Sequence, residues 1–475
     1  MGAGMSRSVL ACGIAAGAVL GTVYAASPLT VWFLAVMAGL FAWTSRGLTE
    51  RERRWVLGVL AVAVAVRMLT IAWLFATTDH YQAVSFFWDG DGQALKRRAL
   101  SIRNIWLGIP VAPLFYSLAF EQSYGWTTYL YVLAYIQYWL GPAPYGIHLV
   151  NVALFVAGAV ALYRLVRSAY GRASAFVGLV ILLFLPTPFL WSVSALKESM
   201  YVFLLVIGLV AAVHLVRGRF STRVIALAIL MASVAVIDGV RAGAQLIATL
   251  GLAAGLAASF VVRRVSILLL VLLLGPIAAR QAWNDPGVQT AMMSQVQAAA
   301  LQHLGQVRSP GYSYKLLDER AYSIDRPTLT PVESGRFVVR ALVSFVVVPL
   351  PWQAQSGVAL VFLPQQIVWY VLVALAFVGL VVGLRRDLLL TCLLAGLATA
   401  GAAAVALNSG NIGTMIRHRD TVVPFVVWLS ALGGVATVSR LAYALSGRRP
   451  AEGEESAAAM PGGSGDTATG QPATL

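Results

Sequence analysis

Residues 385–408 open with Arg385-Arg386-Asp387, continue as LLLTCLLAGLATAGAAAVAL over 388–407, and close on Asn408. A helix over that uncharged run rises 1.5 Å per residue and spans about 30 Å, the thickness of a bilayer's hydrocarbon core. In lipid every backbone N–H and C=O must be bonded within the segment, so the run has to be helical. Similar runs recur at roughly 9–25, 29–44, 55–77, 146–166, 174–191, 198–216, 222–237, 243–262, 265–280, 362–384 and 421–439, which predicts about twelve spans. The fold class that follows is all-α and polytopic.

Composition agrees. Of 475 residues, 59% are hydrophobic and 11% charged, with mean hydropathy +0.79. A soluble chain of this size needs far more charge to cover its surface. The net charge of +15 invites a nucleic-acid reading, but the arginines form no single basic face. They stand between the apolar runs, where the positive-inside rule puts cytoplasmic residues. With the N-terminus inside, Arg46, Arg51, Arg53 and Arg54 share one side with Arg164, Arg167 and Arg172, with Arg217, Arg219 and Arg223, with Arg263 and Arg264, with Arg385 and Arg386, and with Arg440, Arg448 and Arg449. Nucleic acid is not an implied partner. Cys12 and Cys392 lie inside apolar runs and suggest neither a disulfide nor a metal site. The first run is followed at once by a second and reads as a retained helix, not a signal peptide.

Five regions follow. Residues 1–54 hold two N-terminal helices. Residues 55–280 form a core with a first outer loop at about 78–145. Residues 281–361 form a second outer loop, 362–445 the C-terminal helices, and 446–475 a Gly/Ala/Ser/Pro-rich cytoplasmic tail that has no apolar period and is expected to be disordered. Each outer loop carries an aromatic or amphipathic segment, Trp126–Leu140 and Phe337–Leu350, expected to lie at the interface or to re-enter. No internal repeat is evident.

The chemistry-bearing residues sit at the outer ends of these runs. Trp88-Asp89-Gly90-Asp91-Gly92 places two carboxylates at i, i+2, able to share a divalent cation or to act as base and orienter. The alternative is an ordinary Asp/Gly turn. Lys96-Arg97-Arg98 follows and could hold phosphate oxygens. Lys197-Glu198 opens a helix, where a glutamate can also serve simply as a favourable charge at the N-terminus. Asp238 and Arg241 share a tight turn and could pair with each other. Arg67 lies deep inside its run and requires a partner or a wet cavity. Asn408-Ser409-Gly410-Asn411-Ile412-Gly413 leads into Arg417-His418-Arg419-Asp420. Two arginines and a histidine at an outer edge run against the charge bias of the short loops. Arginine's planar fork suits a lipid phosphate.

Taken in order, these pieces resemble the GT-C superfamily of integral-membrane glycosyltransferases. They are the acids Asp89 and Asp91, an aromatic stretch ending Leu140-Gly141-Pro142, Leu162-Tyr163-Arg164-Leu165-Val166-Arg167, a Pro-containing corner, Lys197-Glu198, Arg241, and Arg417-His418-Arg419 before Pro424. The similarity covers roughly residues 55–440. It implies a polyprenyl-(di)phosphate-linked sugar donor and an acceptor glycan, lipid or protein outside a plasma membrane, such as a bacterial inner membrane, with both termini cytoplasmic. It also implies Asp91, or secondarily Asp89, as general base. Lys197, Glu198, Arg241, Arg417, His418 and Arg419 are the implied substrate-binding residues. Some members bind a divalent metal, for which Asp89 and Asp91 are the candidates here. Many carry adjacent acids with a tyrosine soon after, whereas here a glycine separates the acids and Leu95 takes the tyrosine's place. A polysaccharide polymerase or ligase using a lipid-diphosphate oligosaccharide is the nearest alternative. A transporter is a further one, disfavoured because charge concentrates at the outer edge and the halves do not repeat.

Overall fold

The computed structural model describes residues 13–19, 21, 27–77, 91–120, 128–142, 145–309, 312–350 and 363–446. Asp89, most of the expected helix 9–25, and the tail from 447 lie outside the described residues, as does the Asp91 side chain. In chain order the helices are α1 (Pro28–Ser45), α2 (Glu50–Thr77), α3 (Asp91–Trp106), α4 (Pro113–Ala119), α5 (Thr128–Leu140), α6 (Gly146–Tyr170), α7 (Arg172–Phe184), α8 (Pro186–Val193), α9 (Glu198–Arg217), α10 (Phe220–Val240), α11 (Ala244–Arg263), α12 (Val265–Asn284), α13 (Pro286–Arg308), α14 (Glu319–Tyr322), α15 (Pro331–Val347), α16 (Leu363–Arg386), α17 (Leu388–Asn408), α18 (Ile412–Arg419) and α19 (Val423–Leu445). The described residues form no strand, only an isolated bridge between Ser313 and Asn411. The protein is an all-α, multi-pass membrane protein.

Ten of these helices are long and apolar enough to cross a membrane. They do not sum to twelve for two reasons. The first expected helix falls mostly outside the described residues, and the run 174–191 is not one helix. It breaks at Leu185 into α7 and α8, bent by 60°. Pro186 causes the break. It has no N–H for the Leu182 carbonyl, and it pushes the preceding residue to extended backbone, as found at Leu185 (φ −61°, ψ 127°).

A break in an apolar bundle leaves carbonyls that water cannot reach. Arg67, fully buried on α2, meets one of them. Its Nη2 donates to the Leu183 carbonyl at 2.8 Å and its Nε to Ser192 Oγ at 2.8 Å, binding both sides of the bend. The Phe155 and Phe189 rings flank the guanidinium, 5.1 and 4.7 Å from centroid to carbon. The Thr187 N–H, which would have served Leu183 in a continuous helix, donates instead to Gln365 Oε1 at 3.0 Å. Arg67 therefore caps a broken helix.

The short basic connections meet at one end of the bundle. Arg164 donates to the Trp43 and Arg46 carbonyls at 2.8 and 3.1 Å. Arg167 pairs with Glu52 at 2.5 Å and Arg217 with Asp387 at 2.5 Å. Arg386 donates to the Tyr170 carbonyl at 3.0 Å. Glu198 begins the helix that Arg217 ends, so it stands about 30 Å away at the opposite end.

Glycine lets several spans touch backbone to backbone, the route by which helices associate in lipid without a hydrophobic drive. A Cβ on Gly379 of α16 would meet the Leu429 carbonyl oxygen of α19, and one on Gly433 would meet that of Leu375. Between α11 and α17, Gly255 faces the Cys392 carbonyl and Gly396 that of Gly251. The Trp428 ring packs against Gly178, where a Cβ would collide with it. By contrast α12 has no buried residue at all and exposes a continuous leucine surface, the pattern expected of a helix solvated by lipid tails.

The two segments expected at the interface are the helices α5 and α15, and neither is among the candidate spans. A capping box between Thr330 and Glu333 starts α15, and Ser334, Phe337, Ala341 and Phe345 form its buried stripe.

Replacing Arg67 by Leu removes two of the bend's hydrogen bonds and should lower stability by roughly 2–4 kcal/mol. Lys should recover only part of this, because one ammonium cannot reproduce the planar fork. Thermal unfolding in detergent measures both, and an unchanged midpoint for Arg67→Leu would refute the capping role. Gly379→Ala should destabilise by about 1–3 kcal/mol through overpacking. Gly275→Ala on the unpacked α12 should stay within about 0.5 kcal/mol. Equal losses at the two glycines would argue against close contact between α16 and α19.

Candidate functional site

The end of the bundle carrying Glu198 is built on the short segment 194–197, between α8 and α9. Its carbonyls are held by polar side chains of otherwise apolar helices. Asn151 donates to the Ser194 and Leu196 carbonyls at 2.8 and 2.7 Å, and Tyr129 donates to that of Ala195 at 3.1 Å. His148 bonds the Val193 carbonyl through Nδ1 at 2.7 Å. A carbonyl only accepts, so the proton is on Nδ1 and the Nε2 lone pair faces Lys96 Nζ, 3.3 Å away. Lys96 is thus turned inward over Phe75, 5.6 Å from the ring centroid, away from the phosphate-holding role read for Lys96-Arg97-Arg98. Arg97 is exposed.

That scaffold presents Glu198, which is 5% exposed. Its Oε1 accepts from Arg417 Nε at 2.6 Å across 219 positions of sequence. Arg417 lies 5.8 Å over the Trp191 ring and Arg241 5.8 Å over the Tyr201 ring. Arg241 is half-buried and does not pair with Asp238. That aspartate instead closes its own turn by accepting from the Gly243 N–H at 2.9 Å. Arg241 is also electrostatically coupled to Glu198. His418 feels Arg241, Arg417 and Lys197 together; burial first, then these three cations, hold its imidazole well below the usual histidine range. His418 is therefore neutral at pH 7 and can donate one hydrogen bond.

The structure thus gathers Lys197, Glu198, Arg241, Arg417 and His418 at one place. Arg419 it does not. On a helix, residues i and i+2 project about 200° apart, so Arg419 points away from Arg417 into protein. It donates to Gln366 Oε1 at 2.7 Å and to the Val348 carbonyl, between the rings of Phe345 and Trp369. Burial lowers its pKa to about 10, which leaves it charged. Arg419 joins α18 to α15 and α16 and does not stand with Arg417.

Asp91 opens α3, so this acid stands at a helix start and not within a free turn. A methyl on Gly92 would lie 3.6 Å from Ala195 Cβ, so the start of α3 touches the segment that presents Glu198. On the other side, α18 is fixed by Asn411, which caps it by accepting from Gly413 and Thr414. The second long loop fastens on here too: His303 donates to the Ser409 carbonyl at 2.7 Å and Tyr314 N–H to Gly410 at 3.1 Å.

Asp420 completes the arrangement. Buried, it accepts from Thr187 Oγ1 at 2.7 Å and from Trp191 Nε1 at 2.6 Å, tying the bend in α7–α8 to the C-terminal spans. Burial, with some repulsion from Glu198, pushes its carboxyl up to about 7. Tyr129, His148 and Asn151 carry no motif in the sequence, and Asp420 stands there only as the close of the Arg417-His418-Arg419-Asp420 segment. The signal present was His148 and Asn151, three apart inside an otherwise apolar helix start.

Among the described residues no group of three or more His, Cys, Asp or Glu could hold a metal ion. Among the described residues, Lys197, Arg241 and Arg417 stand around the Glu198 carboxylate, a setting that favours an anionic group. No protein-family model, curated protein or solved structure matches the chain.

The Asp420 carboxyl holds its proton in the fold up to about pH 7 but ionises near 3.8 once unfolded. The folded state therefore binds more protons between those values, and stability falls as pH rises through that window. The wild-type slope there should exceed that of Asp420→Asn by about 1 kcal/mol per pH unit. Denaturation in detergent from pH 4 to 8 tests this, and identical slopes would show that Asp420 stays ionised throughout. The Asn variant should start from a lower baseline, since its NH2 group faces donors.

Proposed function

We propose that this chain is a membrane glycosyltransferase of the GT-C type that uses a polyprenyl-phosphate- or polyprenyl-diphosphate-linked sugar. Its acceptor is a glycan, lipid or protein of the cell envelope. The observation that carries the reading is the cluster of Lys197, Arg241, Arg417 and neutral His418 around Glu198, in contact with the segment touched by the start of α3. The opposite end collects the basic connections, which supports a plasma-membrane topology with both termini cytoplasmic and this site on the outer face. Soluble nucleotide sugars are not available on that face, whereas a lipid-linked donor delivers its phosphate at the headgroup level.

In this reading Asp91, or Asp89, takes the proton of an acceptor hydroxyl as its oxygen attacks the anomeric carbon. The bond from that carbon to the phosphate oxygen breaks, and the electron pair leaves with the phosphate, so the configuration inverts. Arg417, Arg241 and Lys197 oppose the charge that develops there, and His418 donates a hydrogen bond without adding charge of its own. The aromatic faces of Trp191 and Tyr201 hold two of the guanidinium groups in place. Asp89 and the Asp91 side chain, which would hold a divalent metal, lie outside the described residues, and no step is routed through one.

The double variant Asp89→Asn, Asp91→Asn should reduce transfer at least 100-fold while leaving the unfolding midpoint near wild type. Arg241→Ala, which breaks no ion pair, should weaken binding of farnesyl phosphate about tenfold. Transfer can be followed with lipid-linked sugars extracted from a deletion strain, where single-sugar lipids should accumulate. Accumulated oligosaccharide lipids would favour a polymerase or ligase instead. Full activity in the double aspartate variant would overturn the assignment of the base.

A further inference from the structure

Glu198 uses only one of its oxygens. Oε1 takes the Arg417 hydrogen bond at 2.6 Å, while Oε2 is enclosed and has no hydrogen-bond partner. A buried acceptor left unpaired is costly, and more so when charged. The backbone leading to it is held in place, since Tyr129 and Asn151 bond the Ala195 and Leu196 carbonyls. Resting on the phosphate reading above, we propose that Glu198 Oε2 accepts a hydrogen bond from a ligand hydroxyl, so that the site selects a sugar phosphodiester over a bare lipid phosphate.

Electrostatics narrow the donor. A carboxylate oxygen takes hydrogen bonds and gives none, which excludes a second phosphate oxygen. A divalent cation or an ammonium group would satisfy it, but Lys197, Arg241 and Arg417 repel both. A neutral hydroxyl meets no such repulsion. In a sugar phosphodiester the hydroxyls lie within a few ångströms of the phosphate, so Arg417 can hold the phosphate while its own carboxylate partner reads the sugar. The same carboxylate then acts on the product. Transfer removes the sugar, leaving a phosphate monoester that carries more negative charge at pH 7 than the diester. Glu198 has lost its donor and faces that extra charge, which favours release of the spent lipid.

The test uses the full-length chain in detergent with three probes: farnesyl phosphate, a panel of farnesyl phosphoryl pentoses and hexoses, and monodeoxy analogues of the tightest of these. Wild type should bind at least one phosphoryl sugar tenfold or more tighter than farnesyl phosphate. One deoxy analogue should lose that advantage, a result that needs no variant to fold. Glu198→Gln should weaken the preferred phosphoryl sugar at least tenfold and bind farnesyl phosphate as tightly as wild type or tighter. Equal weakening of both probes would mean that Glu198 only positions Arg417, and no change in either would mean that solvent serves Oε2; each sinks the proposal. If wild type binds farnesyl phosphate but prefers no phosphoryl sugar, the phosphate reading survives and this inference fails. If it binds none of the probes, both fail.

Discussion

A backbone carbonyl inside an apolar bundle must find a donor, and much of this architecture is arranged around one place where the usual donor is missing. Pro186 breaks a membrane-depth helix, and the chain answers with a fully buried arginine from α2 that bonds the freed Leu183 carbonyl and the Ser192 hydroxyl beyond the bend. With the bend fixed, α8 turns Thr187 and Trp191 toward Asp420, and the chain leaving α8 arrives where Asn151 and Tyr129 can hold it. Glu198 follows directly. An unbroken helix over 174–191 would carry those side chains elsewhere, and the charged cluster would have no floor.

The cluster itself is a balance of like charges. Three cations and a neutral histidine share a single described carboxylate, and neighbouring aromatic rings supply part of what a second carboxylate would. Arg419 shows the contrasting solution two residues away. Its guanidinium is largely satisfied by protein, with an amide, a carbonyl and two rings, and it stabilises contacts between helices.

Much of this was legible in the sequence because hydropathy and arginine spacing are one-dimensional signals. Apolar length reports directly on bilayer thickness, so the helices beginning at Gly146, Glu198 and Leu388 could be read as they stand. Grouping residues by proximity along the chain was less reliable. Arg417 and Arg419 look like a pair on paper, yet helical geometry sends them to different neighbours. Asp238 and Arg241 look like another, but the aspartate is consumed by its own turn. The anchoring roles of Tyr129, Asn151 and Asp420 depend on contacts across 66, 43 and 233 positions, distances at which no local pattern speaks. Pro186 stands inside the run 174–191 that was expected to be one span, and the break it makes became readable only in the structure.

The bend also imposes an order on synthesis. The partners of Arg67 all lie before residue 193, so that clamp can close once the first half of the chain is in the membrane. Thr187 and Trp191 are served by Gln365 and Asp420, which leave the ribosome far later. The Thr187 hydroxyl, the Trp191 indole N–H and the Glu198 carboxylate thus precede their C-terminal partners by more than 170 positions. That end of the bundle is therefore completed only when the three C-terminal spans bring Gln365, Arg417 and Asp420 to it.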